Sequence, residues 1–545
     1  MAEISSAGEA SPATVSRGRA TWERLVARID LNEVALVLSL VVLSVAVRLL
    51  RLQPIEYYDD EVMRWNFVRQ WFHDNSFRHG IWTHHMARFG INVPLFFAQL
   101  LFGRHASVYY VWPIASFALQ VAFVYLTARR LGGRGAGVVA AILLSVFTGI
   151  DRGASQILPD AFGATALVVL SYLLTRYHDA SSERRMPWLF GAAAAFIWAY
   201  LIKESNLLFL PGAALGVWLL RGRFRDGVWF TLLVFGFIAL ETLGFRLLTD
   251  YSSRFAIVGE AHGDIRGTTF WGLFDRFTRL EPAWQMLVWT WAAASIWIVG
   301  SSDKRARVVV LLPAAFLFFL TFLVRSLDPL VIWTRFYSRY FEPTTGLMTI
   351  AIGLFVHESL GRAWRERVPE RVRAWFSPSS RFGAAPWIFA CLLVGLVEYG
   401  ARDPSQESAL AETRRISRIV NDTYRRNLPI VMQRSKRREH EERRVRPLKL
   451  IYGVYLNEAQ IMSSPLAKQG ALPDMLEVVK DSKKYSYVLH DPAAYAQGQV
   501  EEWVERGCAL VVTEAKKHLL AAPGVPSLIV ERTEKLPANC EPPAR

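Results

Sequence analysis

Residues 33–61 read EVALVLSLVVLSVAVRLLRLQPIEYYDDE, an apolar run that closes on Arg48 and Arg51 and is followed by Tyr57-Tyr58-Asp59-Asp60-Glu61. A bilayer core about 30 Å thick takes roughly 20 apolar residues as helix, and residues 33–52 supply them. Three consecutive carboxylates then stand where the chain should leave the bilayer. Ionisable groups near hydrocarbon are costly and usually face a polar cavity, which makes Asp59, Asp60 and Glu61 a candidate functional site. The plain alternative is a solvated juxtamembrane acid run. Residues 1–32 are polar and bear Arg, and no small-residue cleavage site follows the apolar run, so it reads as a retained anchor.

Outward from this stretch the same pattern recurs. The 545 residues are 52% hydrophobic and 13% aromatic, yet 20% are charged. The charges are segregated between long apolar stretches, the composition of a polytopic α-helical membrane protein with a water-exposed domain. About eleven stretches have the length and character of spans, near residues 33–52, 106–127, 136–150, 159–176, 188–203, 206–220, 228–249, 284–300, 308–324, 341–357 and 386–400. Short basic loops orient them: Arg129, Arg130 and Arg134; Arg184 and Arg185; Arg221, Arg223 and Arg225; Lys304, Arg305 and Arg307. The positive-inside rule places these loops and the N-terminus in the cytoplasm. By alternation residues 358–385 join them, and the C-terminal region lies outside. On the outer side, loops 53–105 and 250–283 carry the Trp, Tyr and His content of interfacial helices. The net charge of +15 is explained by these arginine loops and anionic headgroups, and no nucleic-acid motif accompanies it.

After Gly400 the hydropathy falls, and a basic stretch from Arg425 to Arg446 leads into a second region. Residues 449–455, 485–489 and 509–512 read as short buried strands, with a helical pattern at 493–506. The expected division is a cytoplasmic segment 1–32, a membrane domain 33–400 and an extracytoplasmic α/β domain 401–545. No Gly-rich phosphate loop follows a strand. The three cysteines, Cys391, Cys508 and Cys540, lack metal-ligand spacing, and one Cys508–Cys540 bridge is the most they could form.

Further charged residues fall on the predicted outer side: Arg88 in Arg88-Phe89-Gly90-Ile91-Asn92-Val93-Pro94-Leu95, Asp160 in Leu158-Pro159-Asp160, Lys203 in Ile202-Lys203-Glu204 before Leu210-Pro211, and Arg339-Tyr340 with Pro343. Asp60-Glu61 and these motifs, in this order, resemble the lipid-linked-sugar glycosyltransferases of the GT-C superfamily, in the branch of protein O-mannosyltransferases, aminoarabinose transferases and rhizobial galacturonosyltransferases. The resemblance covers the membrane half and first outer loop. Relatives near the aminoarabinose enzymes carry an acidic residue and a Lys before Pro-Leu, and this chain lacks both at Pro94-Leu95. The resemblance implies a polyprenyl-phosphate-linked sugar donor, an inverting transfer to a glycolipid, polysaccharide or protein of the cell envelope, and a bacterial inner membrane with the active site on the periplasmic side. Lipopolysaccharide is one such acceptor.

The chemistry needs a carboxylate to take the acceptor proton and cations to hold the departing phosphate. Asp60, with Asp59 and Glu61 as neighbours, suits the first task; Lys203, Arg339 and Tyr340 suit the second, with Asp160 and Arg88 in support. Plainer readings stand beside these. Lys203 at a span end could snorkel, and Asp160 stands where it would cap the helix after Pro159. A divalent ion between Asp60 and Asp160 is the metal reading the sequence leaves open. Adjacent His84-His85 do not face one ligand position and read as interfacial polar contacts. Glu281 and Asp328 are further outer carboxylates. The rival class is a transporter or lipid-linked-sugar flippase, which would place its charges near the bilayer midplane. A scaffold for envelope assembly would leave the charged outer loops idle.

Overall fold

The computed structural model describes residues 30–53, 64–65, 68, 84–103, 106–249, 251–262, 278–300, 303–322, 324–327, 330–332, 338–367, 384–401, 430–432, 486–489, 510–515 and 527–531. The acidic run Asp59-Asp60-Glu61 lies outside these residues, as do Asp328, Cys508, Cys540 and the stretches 449–455 and 493–506. In chain order the helices are α1 (Leu31–Leu50), α2 (Phe89–Phe102), α3 (Val111–Val146), α4 (Pro159–Asp179), α5 (Arg185–Ile202), α6 (Leu210–Arg221), α7 (Phe224–Leu248), α8 (Arg254–His262), α9 (Pro282–Gly300), α10 (Val308–Phe322), α11 (Thr345–Arg367) and α12 (Ala385–Gly400). Helices α2 and α8 occupy the two expected outer loops.

The apolar character of these segments serves two different surroundings. One face of each helix packs into a shared core in which α3 is central, lying along α1, α4 and α11, while α4 runs along α5. The other face carries apolar groups to the outside. On α7, Leu240 is 69% and Leu247 73% exposed; so large an apolar surface on a water-soluble chain would invite association, and here it fits hydrocarbon. Among the described residues, Leu31–Leu50, Ser107–Val146, Arg185–Ile202 and Phe224–Leu248 are long and apolar enough to cross a membrane, and Phe89–Phe102, Val308–Thr321 and Ala385–Gly400 are shorter apolar helices.

Two expected spans, 106–127 and 136–150, form one continuous element with a reversal inside it. Gly133 has φ 87° and ψ 178°, a conformation open to glycine, and no heavy atom within 4 Å would meet an added Cβ. The chain therefore folds back at Gly133 without a loop, and its two arms are the two expected spans. Helix α11 differs from expectation at both ends. It starts at Thr345 instead of 341, because Ser338–Thr344 winds as a 3₁₀ segment with Pro343 inside it. It continues to Arg367, past the apolar window that ended at 357, because Glu, Ala and Arg sustain helix in water as well as Leu does.

The four basic clusters gather at one end of the bundle. Asp179 pairs with Arg130 at 2.7 Å and Arg305 at 3.5 Å, which joins the turn after the first arm of α3 to the α9–α10 connection. Arg185 lies 3.5 Å from Asp226, and Tyr177 donates to the same carboxylate at 2.5 Å. Arg221 donates to the His178 carbonyl at 2.7 Å. At the opposite end Arg48, fully buried, pairs with Asp151, and Arg51 reaches Glu398 at 2.6 Å, tying α12 to α1.

Strands β1 (Val324–Leu327) and β2 (Leu330–Ile332) form an antiparallel hairpin. In the C-terminal region β3 (Ile430–Met432), β4 (Ser486–Leu489), β5 (Leu510–Ala515) and β6 (Ser527–Glu531) pair in the order β3-β4-β6-β5, the first pair parallel and the others antiparallel. Strands β4 and β5 coincide with the runs expected at 485–489 and 509–512. Cys391 is buried in α12 as a free thiol.

Candidate functional site

Asp160 owes its place to Pro159. Leu158 is extended (φ −95°, ψ 133°), and Pro opens α4 where its missing N–H costs no hydrogen bond. Asp160 thus falls in the first helical turn, 1% exposed, where the helix dipole favours an anion. The plainer capping reading does not match the geometry: the N-cap is Leu158, no side chain caps the helix, and the Asp160 carboxylate turns inward onto Lys203.

Lys203 arrives from the neighbouring helix. It is the C-cap of α5, with extended φ −156° and ψ 132°, so the chain leaves the helix there and crosses to α6 through a 3₁₀ segment, Glu204–Phe209. The Lys203 Nζ donates to Asp160 Oδ1 at 2.5 Å, and the residue is 7% exposed. A snorkelling side chain would carry its ammonium outward; this one points into the protein.

Arg339 and Tyr340 come from the 3₁₀ segment before α11. Arg339 Nε stands 4.0 Å from Asp160 Oδ2. The Tyr340 ring lies 4.9 Å from Lys203 Nζ and 5.7 Å from the Arg339 Cζ, within the range at which an aromatic face attracts a cation. Asp160, Lys203, Arg339 and Tyr340, distant in sequence, therefore meet at one point.

Arg88 stands beside this group rather than in its centre. Its Nη2 donates to Glu204 Oε2 at 3.4 Å, so adjacent Lys203 and Glu204 diverge to separate partners. Burial works to raise the Glu204 carboxyl, but Arg88 and Arg254 hold it below its ordinary value, in the charged form. Arg254, 1% exposed, donates to the Tyr200 carbonyl at 2.9 Å and to the Ala87 carbonyl, and pairs with Glu241 at 3.3 Å. Tyr200 donates to Glu241 at 2.5 Å. This web clamps the start of α2 to the end of α5. His85 faces Arg64, Nδ1 to Nη2 at 3.0 Å, a polar contact of the kind expected for the His pair.

Three participants carried no assignment from the sequence. Glu342 lies inside the Arg339-Tyr340-x-x-Pro343 motif, three residues after Arg339, and on a 3₁₀ segment residues three apart eclipse. It is 4% exposed, in Ser338–Thr344 outside the spanning helix. Burial, and then the Asp160 charge, push its carboxyl well above the ordinary value. Arg254 in the second outer loop and Glu204 in the quoted Lys motif complete the set. The i, i+3 spacing of Arg339 and Glu342 was the one signal available in advance.

Lys203 and Arg339 converge on Asp160 while burial disfavours the charged form of Glu342, so the site offers cationic donors to an anion. Among the described residues no group of three or more His, Cys, Asp or Glu converges as metal ligands. Asp160 faces two cations, which a divalent ion would have to displace, so the described residues do not make a metal centre.

Residues 94–243, which include Asp160 and Lys203, match the family model described as dolichyl-phosphate-mannose-protein mannosyltransferase. No curated protein sequence matches the chain. Among solved structures, ArnT from Cupriavidus metallidurans bound to undecaprenyl phosphate superposes with a TM-score of 0.51 at 14% identity, over 91% of this chain and 97% of that one. The same protein in the apo state gives 0.50 at 14% identity, over 92% and 98%. The oligosaccharyltransferase of Archaeoglobus fulgidus, in its apo form, gives 0.42 at 12% identity, over 69% and 57%. The chain is a helical membrane protein that shares the fold of ArnT from Cupriavidus metallidurans.

Proposed function

We propose that this chain is an integral-membrane glycosyltransferase that moves a sugar from a polyprenyl phosphate to an envelope acceptor, a glycolipid, a polysaccharide or a protein. The observation that carries the reading is the convergence of Lys203 and Arg339 on Asp160 at one end of the bundle, which offers two cationic side chains to a phosphate. The family match at residues 94–243 and the ArnT fold support it, and that solved relative holds undecaprenyl phosphate.

In this reading Lys203 and Arg339 bind the donor phosphate and stabilise the charge that collects on it as the glycosidic bond breaks. Tyr340 holds the two cations over its ring. Asp60 takes the proton of the acceptor hydroxyl as its oxygen attacks the anomeric carbon from the face opposite the phosphate, which inverts that centre. Chain connectivity supports this assignment. The Gln53 amide donates to Ser155 Oγ at 3.3 Å, and Arg64 donates to the Ile157 carbonyl at 2.6 Å. In sequence, the acidic run lies between Gln53 and Arg64, the two residues that hold the turn leading into Asp160.

The eleven-span count follows if each arm of α3 crosses once, and it puts the arginine end in the cytoplasm and the site on the periplasmic side of a bacterial inner membrane. Residues 401–545 then form an extracytoplasmic α/β domain. The transporter reading is disfavoured because Asp160, Lys203 and Arg339 sit at helix ends, not mid-span. The test is transfer by purified protein supplied with a polyprenyl-phosphate sugar. Asp60→Asn should lower turnover by at least about a hundredfold with insertion intact; near-normal turnover would remove Asp60 from the reaction.

A further inference from the structure

Three carboxylate oxygens at the site remain once the cations are placed, Glu204 Oε1 on the Arg88 side and two on the Lys203 side. Asp160 Oδ2 and Glu342 Oε2 are both buried, and no hydrogen-bond donor among the described residues reaches either. Arg339 Nε, 4.0 Å from Oδ2, is outside hydrogen-bonding range. Buried acceptors are nearly always paired, so two orphans side by side in charge terms mark a place where something else supplies the donors.

The position of Glu342 is built from both sides. Its 3₁₀ segment aligns it with Arg339, and its carboxyl is seated on the backbone of Gly153, where an added Cβ would collide with Oε2. The fit explains a glycine in the turn before Asp160. The requirement on a ligand then splits in two. Lys203 and Arg339 offer donors only, which suits a phosphate diester, a group that has acceptors only. Asp160 Oδ2 and Glu342 Oε2 call for hydroxyl donors, which a phosphate diester does not have. A sugar joined to a phosphate meets both requirements.

We propose that Glu342, together with Asp160, reads hydroxyls of the sugar carried on the lipid phosphate, and so is a specificity-determining residue for the donor; this rests on the glycosyl-donor reading above. The raised affinity of Glu342 for its proton agrees with the role, because a neutral carboxyl both donates and accepts, as a hydroxyl does.

The experiment measures binding to the full-length protein in lipid nanodiscs, using undecaprenyl phosphate and its hexosyl, uronosyl and pentosyl derivatives as probes. The wild type should hold at least one glycosyl derivative about tenfold more tightly than the bare lipid phosphate. Glu342→Met, close in volume but without oxygens, should keep the bare-lipid affinity within about twofold and lose that preference. Glu342→Gln keeps a donor and an acceptor and should retain most of it. Gly153→Ala, which pushes the carboxyl aside, should reproduce the Met phenotype and carries the test should Glu342→Met not insert. The proposal is overturned if Glu342→Met keeps the preference, if it weakens bare and glycosylated lipid alike, or if the wild type shows no preference for any derivative. A wild type that binds none of these lipids, bare phosphate included, would instead refute the glycosyl-donor reading itself.

Discussion

Replacing Lys203 by Met separates its structural task from its functional one. The ammonium is 2.5 Å from Asp160 Oδ1, and both residues are buried. Met keeps most of the stem volume but leaves the Asp160 carboxylate, among the described residues, with Arg339 at 4.0 Å as its cationic neighbour. Removing one member of a buried ion pair typically costs about 3–5 kcal/mol, because the remaining charge is left without compensation. Lys203→Met should therefore lose stability of about that size, read by thermal unfolding in detergent. Adding Asp160→Asn removes the stranded charge and should restore most of the loss. The binding of undecaprenyl phosphate should behave differently. A charge-assisted hydrogen bond is worth about 1.5–3 kcal/mol, so Lys203→Met should weaken binding by roughly ten- to a hundredfold, and Asp160→Asn should not bring that affinity back. Recovery of both stability and affinity in the double variant would reduce Lys203 to a counter-ion and refute the phosphate role.

Glu342 should confer a pH-dependent penalty. Its carboxyl titrates above its ordinary value in the folded protein, so the folded state binds the proton more tightly than the unfolded chain. Stability should thus fall as pH rises from the unfolded value of about 4.3 up through the raised folded value. Glu342→Gln, which mimics the neutral form, should flatten that fall in melting temperature measured from pH 5 to pH 9; parallel curves would contradict it. Arg254→Met should cost about 3–5 kcal/mol by stranding Glu241 along with the Tyr200 and Ala87 carbonyls, and Arg254→Lys should not rescue it because one ammonium cannot match the fork. An unfolding midpoint unchanged by Arg254→Met would show that the web does not brace the site. A reporter fused after Arg545 should report an extracytoplasmic location, and a cytoplasmic signal would change the span count by one and move the site to the other face.

Hydropathy made the helices legible, since burial in lipid and burial in a core both demand apolar runs, and most observed ends fall within a few residues of the expected ones. Motif order made Asp160, Lys203, Arg339 and Tyr340 legible, because each is a charged or aromatic group at the end of an apolar run. Glu342 escaped notice because a carboxylate near a helix start usually needs no special explanation; only the 3₁₀ winding of Ser338–Thr344 aligns it with Arg339. The bond from Arg88 to Glu204 joins residues 116 apart, and no local pattern foretells such a pairing. The extension of α11 to Arg367 was hidden for a different reason: a hydropathy window ends where water-compatible residues begin, although the backbone continues unchanged.

The divergence of Lys203 and Glu204 limits how this sequence can drift. The two residues are neighbours where an extended Lys203 meets the 3₁₀ segment that Glu204 opens, one serving Asp160 and the other Arg88. A single-residue deletion just before them would bring Glu204 into the place of Lys203, a carboxylate facing the Asp160 carboxylate, and Ser205 into the place of Glu204, leaving Arg88 without its carboxylate partner. A substitution at this junction breaks one pairing, whereas a length change breaks two at once. If Glu342 reads the donor sugar as proposed, new donor preferences should arise by exchange of side chains along Ser338–Thr344, while the α5–α6 crossing keeps its length.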